Sequence, residues 1–271
     1  MRQIVNLNTK WAFSKEATAV PAEVSNRWNF VNLPHCWNAI DGQDGDADYF
    51  RGTAFYAKNL NKSDLPTAER YYLEINGANS SAKVHWNGKQ MAEHHGGYST
   101  WRVDVTDVMQ ASNLVVLEVD NSKNDCVYPQ NADFTFYGGV YRDVNLICVS
   151  QSHFDLEYYG APGIKVTPVV EGDDAKVEVE VWVKNLKEDQ YLQYTIVDAE
   201  GNAVANEVST ACKFTCVIEN VHKWHGRKDP YLYTAEVNLV EGKEILDNVS
   251  ANFGCRSFQI HPDNGFILNG E

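Results

Sequence analysis

The sequence predicts an all-β protein made of two antiparallel sandwiches. Three observations carry that expectation. Apolar and polar residues alternate with period two along most of the chain, as in Lys176–Val183 and Tyr191–Val197. Turn signals separate these runs at Asn87-Gly88, Glu200-Gly201 and Glu241-Gly242. No segment sustains apolar residues at i, i+3, i+4 and i+7 over about a dozen residues, so no amphipathic helix is predicted.

Taken in chain order, Tyr71–Ile75 reads as a strand, and Val84–Trp86 and Lys89–Met91 read as a hairpin closed by Asn87-Gly88. Asn-Gly supplies the positive φ angles that a two-residue hairpin turn needs. The one helical hint is Val105–Gln110, where Thr106 or Asp107 offers a cap for a single short turn. Leu114–Val119 and Val144–Val149 close the first β-rich region, which has the length of a jelly-roll sandwich. Gly160-Ala-Pro-Gly163 then marks a domain entry. Beyond it, the strand candidates that include Lys176–Val183, Tyr191–Val197 and Thr234–Leu239 suit an immunoglobulin-like sandwich. The expected boundaries are 1–156 for the jelly roll, 157–260 for the immunoglobulin-like domain and 261–271 for a trailing segment. An apolar strand running into Glu271 suggests that the polypeptide continues, since natural ends more often fray in polar residues.

The chain has 271 residues, enough for two domains of ordinary size, and is 44% hydrophobic, ample for two buried cores. Its formal charge of -14 repels phosphate backbones and anionic lipid, so neither nucleic acid nor membrane is an expected partner. No apolar run has the length of a membrane span. Met1–Trp11 lacks the apolar stretch of a signal peptide. The compartment stays unassigned, a periplasmic or secreted setting being favoured and a cytoplasmic one open. The six cysteines are irregularly spaced and do not suggest a disulfide framework. Strand period puts Cys212, Phe214 and Cys216 on one face, where small core residues are expected rather than a metal pair.

Several ordered segments together resemble the amino-terminal part of glycoside hydrolase family 2, which holds β-galactosidases, β-glucuronidases and β-mannosidases. They are Leu33-Pro-His-Cys-Trp37, Tyr49–Tyr56, Ala82–Gly88, His94-His-Gly-Gly-Tyr98, Val103–Thr106, Leu117–Asn121 and Asp133–Val144. Asp229-Pro-Tyr-Leu-Tyr233, Phe253-Gly-Cys-Arg256 and Gly265–Gly270 follow in the second half, so the resemblance runs through essentially the whole chain. It implies a jelly roll of the galactose-binding type, an immunoglobulin-like spacer, and a lead-in at 261–271 to a catalytic (β/α)8 barrel.

The resemblance also implies site residues. Asp133 matches the place of an aspartate that reaches the sugar in the galactosidase members, through hydroxyl hydrogen bonds or a cation site. Its segment is expected to be an exposed loop, and the alternative is an Asx turn at a loop start. Arg51 stands where the galactosidases have an asparagine, which puts galactose in question. It reaches the active-site mouth or is a surface charge. Arg142 and Asp143 form an ion pair at a strand end or both face water. Adjacent His94 and His95 point to opposite faces of a strand, which favours a hairpin over a metal pair. Trp37, Trp86 and Trp101 are expected in the core rather than in a sugar platform.

Retaining hydrolysis needs two carboxyl groups roughly 5–5.5 Å apart. The resemblance puts both on barrel strands. Glu74, Glu118, Glu178 and Glu180 alternate with apolar residues, the pattern of a solvent face. No catalytic residue is therefore expected in this chain. The leading reading is the non-catalytic front of a retaining exo-acting glycosidase, a β-galactosidase first, with carbohydrate and its own barrel as partners. No cofactor is expected here, while Na⁺ or Mg²⁺ is open for the intact enzyme, with Asp133 as a ligand. The alternatives are a stand-alone carbohydrate-binding module, a β-glucuronidase or β-mannosidase front end, and a pure interaction scaffold.

Overall fold

The computed structural model describes residues 1–41 and 48–271, which form two compact units. One spans Gln3–Cys148, and the other spans Val149–Glu271 and takes in Met1 and Arg2. The sequence reading drew the boundary after residue 156. The units divide earlier, because Phe154 is already wholly buried in the second core. Among the described residues there is no α-helix, and no helix is long and apolar enough to cross a membrane.

The first unit contains β1 (Gln3–Asn6), β2 (Trp11–Ser14), β3 (Asn29–Val31), β4 (Thr53–Asn61), β5 (Arg70–Ile75), β6 (Ser81–Trp86), β7 (Lys89–His95), β8 (Trp101–Asp104), β9 (Ser112–Asp120) and β10 (Val144–Val149). A four-stranded sheet runs β1-β10-β5-β8 and a six-stranded sheet runs β3-β2-β4-β9-β6-β7. Inward residues of both sheets share one core: Leu73 and Leu146 from one, Trp11, Tyr56, Trp86 and Leu117 from the other. That is a sandwich, each sheet burying its alternate side chains against the other. The buried indoles of Trp11 and Trp86 keep their hydrogen bonds, to Leu7 O at 2.7 Å and Asn113 Oδ1 at 3.0 Å. Without such partners, burying an N–H costs about 1–3 kcal/mol. The β6–β7 hairpin closes on Asn87 and Gly88 with φ of 52° and 82°, the mirror-image turn expected of Asn-Gly. The helical hint is one 3₁₀ turn, Thr106–Val108.

The second unit contains β11 (His153–Phe154), β12 (Ile164–Glu171), β13 (Asp174–Val181), β14 (Val183–Lys184), β15 (Gln190–Val197), β16 (Ala203–Ser209), β17 (Lys213–Ile218), β18 (Tyr233–Glu241), β19 (Glu244–Phe253), β20 (Phe258–His261) and β21 (Gly265–Leu268). Sheets β12-β13-β17 and β16-β15-β18-β19 enclose its core, a three-plus-four immunoglobulin-like arrangement. β13 and β15 alternate buried and outward residues, as their sequences require. Cys212 and Cys216 pack against this core, and burial pushes both thiols above their ordinary range. The all-β expectation and the two sandwiches hold.

One expectation about charge does not. Glu74 is buried, not solvent-facing, and pairs with Arg102 Nε at 2.7 Å while Asn145 donates to it at 3.0 Å. Period two assigns a face without saying whether anything covers it, and here polar partners do. Glu118, Glu178 and Glu180 lie at partly exposed positions and pair with lysines.

Candidate functional site

Between β9 and β10 the chain runs from Asn121 to Asp143 without a regular strand. Connections longer than about 12–15 residues with no structure of their own are uncommon and often functional. A buried irregular segment must find partners for its backbone groups. Here three asparagines supply them.

Asn121 is wholly buried and donates to Asn38 Oδ1, Phe50 O and Phe136 O at 3.2, 3.1 and 3.2 Å, while its own Oδ1 accepts from Gly52 N at 3.0 Å. Asn38 Oδ1 accepts from Gly138 N at 2.6 Å. Asn79 donates to Tyr137 O, exchanges backbone bonds with Gly139, and accepts from Tyr128 Oη at 2.7 Å. Gly138 and Gly139 are required by close approach. A Cβ on Gly138 would sit 2.1 Å from the Trp37 ring, and one on Gly139, where φ is 134°, 2.3 Å from His35 O.

The segment Asp133–Gly139 is therefore not an exposed loop throughout, which corrects the sequence expectation. Asp133, Phe134 and Thr135 are exposed, whereas Phe136, Gly138 and Gly139 are buried. The asparagines and Trp37 clamp the second half, which leaves the first half as a projecting tip. Asp133 sits on that tip, and its carboxylate makes no hydrogen bond or ion pair among the described residues.

Arg51 reaches the same loop. Its guanidinium lies over the rings of Tyr49 and Phe136, 4.7 and 5.6 Å from their centroids. It donates to Tyr49 Oη and, at 3.5 Å, to Gln130 O. Tyr49 Oη in turn accepts from Phe136 N at 3.2 Å. Arg51 Nε is buried with no hydrogen-bond partner among the described residues. Arg51 is thus half-buried and held against the loop that carries Asp133. Aromatic rings extend the packing: Tyr128 stacks on Phe136 and Tyr98 stacks on Tyr128.

Sequence reasoning singled out Asp133 and Arg51 and missed Asn38, Asn79 and Asn121. Each lies in or beside a motif segment, but a buried amide has no periodic signature. Arg142 and Asp143 do not pair with each other. Arg142 donates to Tyr98 O at 2.8 Å and Asp143 accepts from Asn8 at 2.7 Å, because each finds a nearer partner across the chain. His94 and His95 diverge on β7. His94 stacks on Trp101, while His95 meets Ser81 Oγ at 2.9 Å. Trp37, Trp86 and Trp101 are all core residues. Among the described residues no three His, Cys, Asp or Glu side chains converge on one point. Asp133 thus offers a cation a single carboxylate among the described residues.

Comparison with known proteins follows the same division. Residues 4–150 match the sugar binding domain of glycosyl hydrolases family 2, and residues 162–256 match a second segment described as glycosyl hydrolases family 2. The chain belongs to this family. A β-glucuronidase of Bacteroides fragilis is 31% identical over 100% of this chain and 40% of its own length. A β-galactosidase of Thermoanaerobacter pseudethanolicus is 24% identical over 100% of this chain and 37% of its own. Among solved structures, an FMN-binding β-glucuronidase from Facaelibacterium prausnitzii L2-6 superposes with a TM-score of 0.91 at 38% identity, over 100% of this chain and 42% of that one. The chain thus spans about two fifths of the length of these family 2 relatives.

Proposed function

We propose that this chain is the non-catalytic front of a retaining, exo-acting family 2 β-glycosidase, and that Asp133 and Arg51 are its contribution to the sugar pocket. The observation that carries the reading is the exposed Asp133 carboxylate on a tip whose base is immobilised, with the Arg51 guanidinium held to the same loop. An exposed carboxylate without a partner among the described residues accepts hydrogen bonds from sugar hydroxyls without first giving up one of its own. The two catalytic carboxyl groups, about 5–5.5 Å apart in a retaining enzyme, are assigned to a barrel beyond these residues, against which the first unit would form the pocket. A Na⁺ or Mg²⁺ at Asp133 would need further ligands.

For the sugar, a β-glucuronide is favoured over a β-galactoside. A glucuronide carries a carboxylate, and Arg51 places a cation against the Asp133 loop where the galactosidases have a neutral amide. The Bacteroides fragilis relative, named a β-glucuronidase, supports the same choice. The galactosidase reading is supported by the Thermoanaerobacter relative.

The test is kinetic and uses the full-length gene product. Asp133→Asn should lower kcat/KM by roughly ten- to a thousand-fold, about 1.4 kcal/mol per factor of ten, with the melting temperature unchanged. Arg51→Gln should lower kcat/KM for nitrophenyl β-glucuronide more than for the β-galactoside. Normal kinetics in Asp133→Asn would sink the site assignment, and an equal loss on both substrates in Arg51→Gln would remove Arg51 as the ground for a glucuronide. The 271-residue chain alone should hydrolyse neither substrate. Tight galactose binding by it in calorimetry would favour a stand-alone carbohydrate-binding module.

A further inference from the structure

We propose that the second unit carries a carbohydrate-binding platform for a neutral polysaccharide chain, built from Tyr158, Tyr159 and Trp182. Nothing in it depends on the reading of Asp133. Tyr158 stacks on Trp182 with centroids 4.7 Å apart and planes 17° apart. Tyr159 meets Tyr158 at 4.9 Å and 75°. The three rings thus form one contiguous aromatic cluster, with Tyr158 in contact with both the indole and Tyr159. Tyr158 is 43% exposed and Tyr159 90% exposed, so neither ring is needed to fill the second core.

Tyr159 also holds a φ of 49°, in the left-handed region that bulky residues avoid. Among the described residues that ring fills no core, and strained backbone of this kind clusters at binding sites. Ala161 N donates to Tyr158 O at 2.9 Å, Trp182 N to Gly163 O at 3.0 Å, and Asp155 N to Trp182 O at 2.8 Å, so backbone bonds tie the loop to the Trp182 strand line. Lys184, two residues along from Trp182, lies 3.5 Å from Asp155 and 3.4 Å from Glu157.

This chemistry fits a pyranose. Its C–H face packs on an exposed aromatic ring, and Glu157, exposed and next to Tyr158 in sequence, offers its hydroxyls an acceptor. The formal charge of -14 and the two carboxylates disfavour an anionic polymer. A second copy of the chain is a poor occupant, because a stable protein interface buries about 800 Å² per partner, more than three partly covered rings supply.

Native gel electrophoresis of the 271-residue chain tests the proposal, with hydroxyethylcellulose, neutral xylan or galactomannan cast in the gel. At least one should retard the chain increasingly with polymer concentration. Tyr158→Ala and Tyr159→Gly should each weaken the apparent association by about tenfold or more, the change that ~1.4 kcal/mol produces. Tyr159→Gly removes an exposed ring and suits the left-handed backbone, so its fold should persist, and Tyr159→Phe should bind as the parent does. Three outcomes overturn the proposal: no retardation by any neutral polymer, retardation only by polygalacturonate, or variants that migrate like the parent. A Tyr159→Gly variant that alters sedimentation of the free chain but not its retardation would identify a contact between copies instead.

Discussion

At the scale of single residues, the candidate site depends on buried amides more than on charges. Asn121 satisfies Phe50 O, Phe136 O and Gly52 N at once. Asn121→Ala should destabilise the first unit by at least ~1–3 kcal/mol, since an unsatisfied buried polar group costs that much. Thermal unfolding of the variant checks this, and a melting curve like the parent's would show the loop to be held by other means. His35 supplies a pH dependence. Burial and the charge of Lys15 push its pKa below the ordinary value of 6.5, with Tyr56 Oη 2.8 Å from its ring and Phe13 packed edge-on. The unfolded chain then takes up the proton first as pH falls. Stability is full above about pH 6.5 and is lost as pH drops through the lowered value. His35→Gln should flatten the fall in melting temperature between about pH 7 and 5. An unchanged slope would assign the effect to His94 and His153, whose pKa values burial also lowers.

At the scale of elements, the hairpins follow their turn residues. A Cβ on Gly88 would meet nothing within 4 Å, so any cost of Gly88→Ala comes from its φ of 82° alone. That cost should be about 1–2 kcal/mol in chemical denaturation, with the midpoint moving and the slope constant. A change in slope would mean that the β6–β7 register had slipped. Strand positions were legible because burial on one face imposes period two, which no loop can imitate over eight residues such as β13 and β15. The Asn121–Asp143 loop was legible only at its glycines and at Asp133. Its partners, Asn38 and Asn79, come from segments far away in sequence.

At the scale of the whole molecule, the first two residues belong with the second unit, Val149–Glu271. Arg2 holds the fully buried Asp247 through two bonds, of 3.0 and 2.8 Å, and Asp247 also accepts from Phe154 N at 2.8 Å. Removing one partner of a buried pair leaves a charge uncompensated, at about 3–5 kcal/mol. Arg2→Ala should therefore lower the unfolding transition of the second unit and leave that of the first in place. Calorimetry reads the two separately. A shift confined to the first transition would contradict the division of the chain.

Sequence alone determined the all-β class, the two sandwiches and the family, because strand period, turn chemistry and motif order are local properties. It also located Asp133 and Arg51 as residues to watch. Tertiary structure alone decided which half of the Asp133 segment projects, where Glu74 and Arg142 find their partners, and that three asparagines hold the loop. Hydrogen-bond partners for buried backbone come from wherever the fold brings them. Nothing in a residue's own neighbourhood along the chain records that.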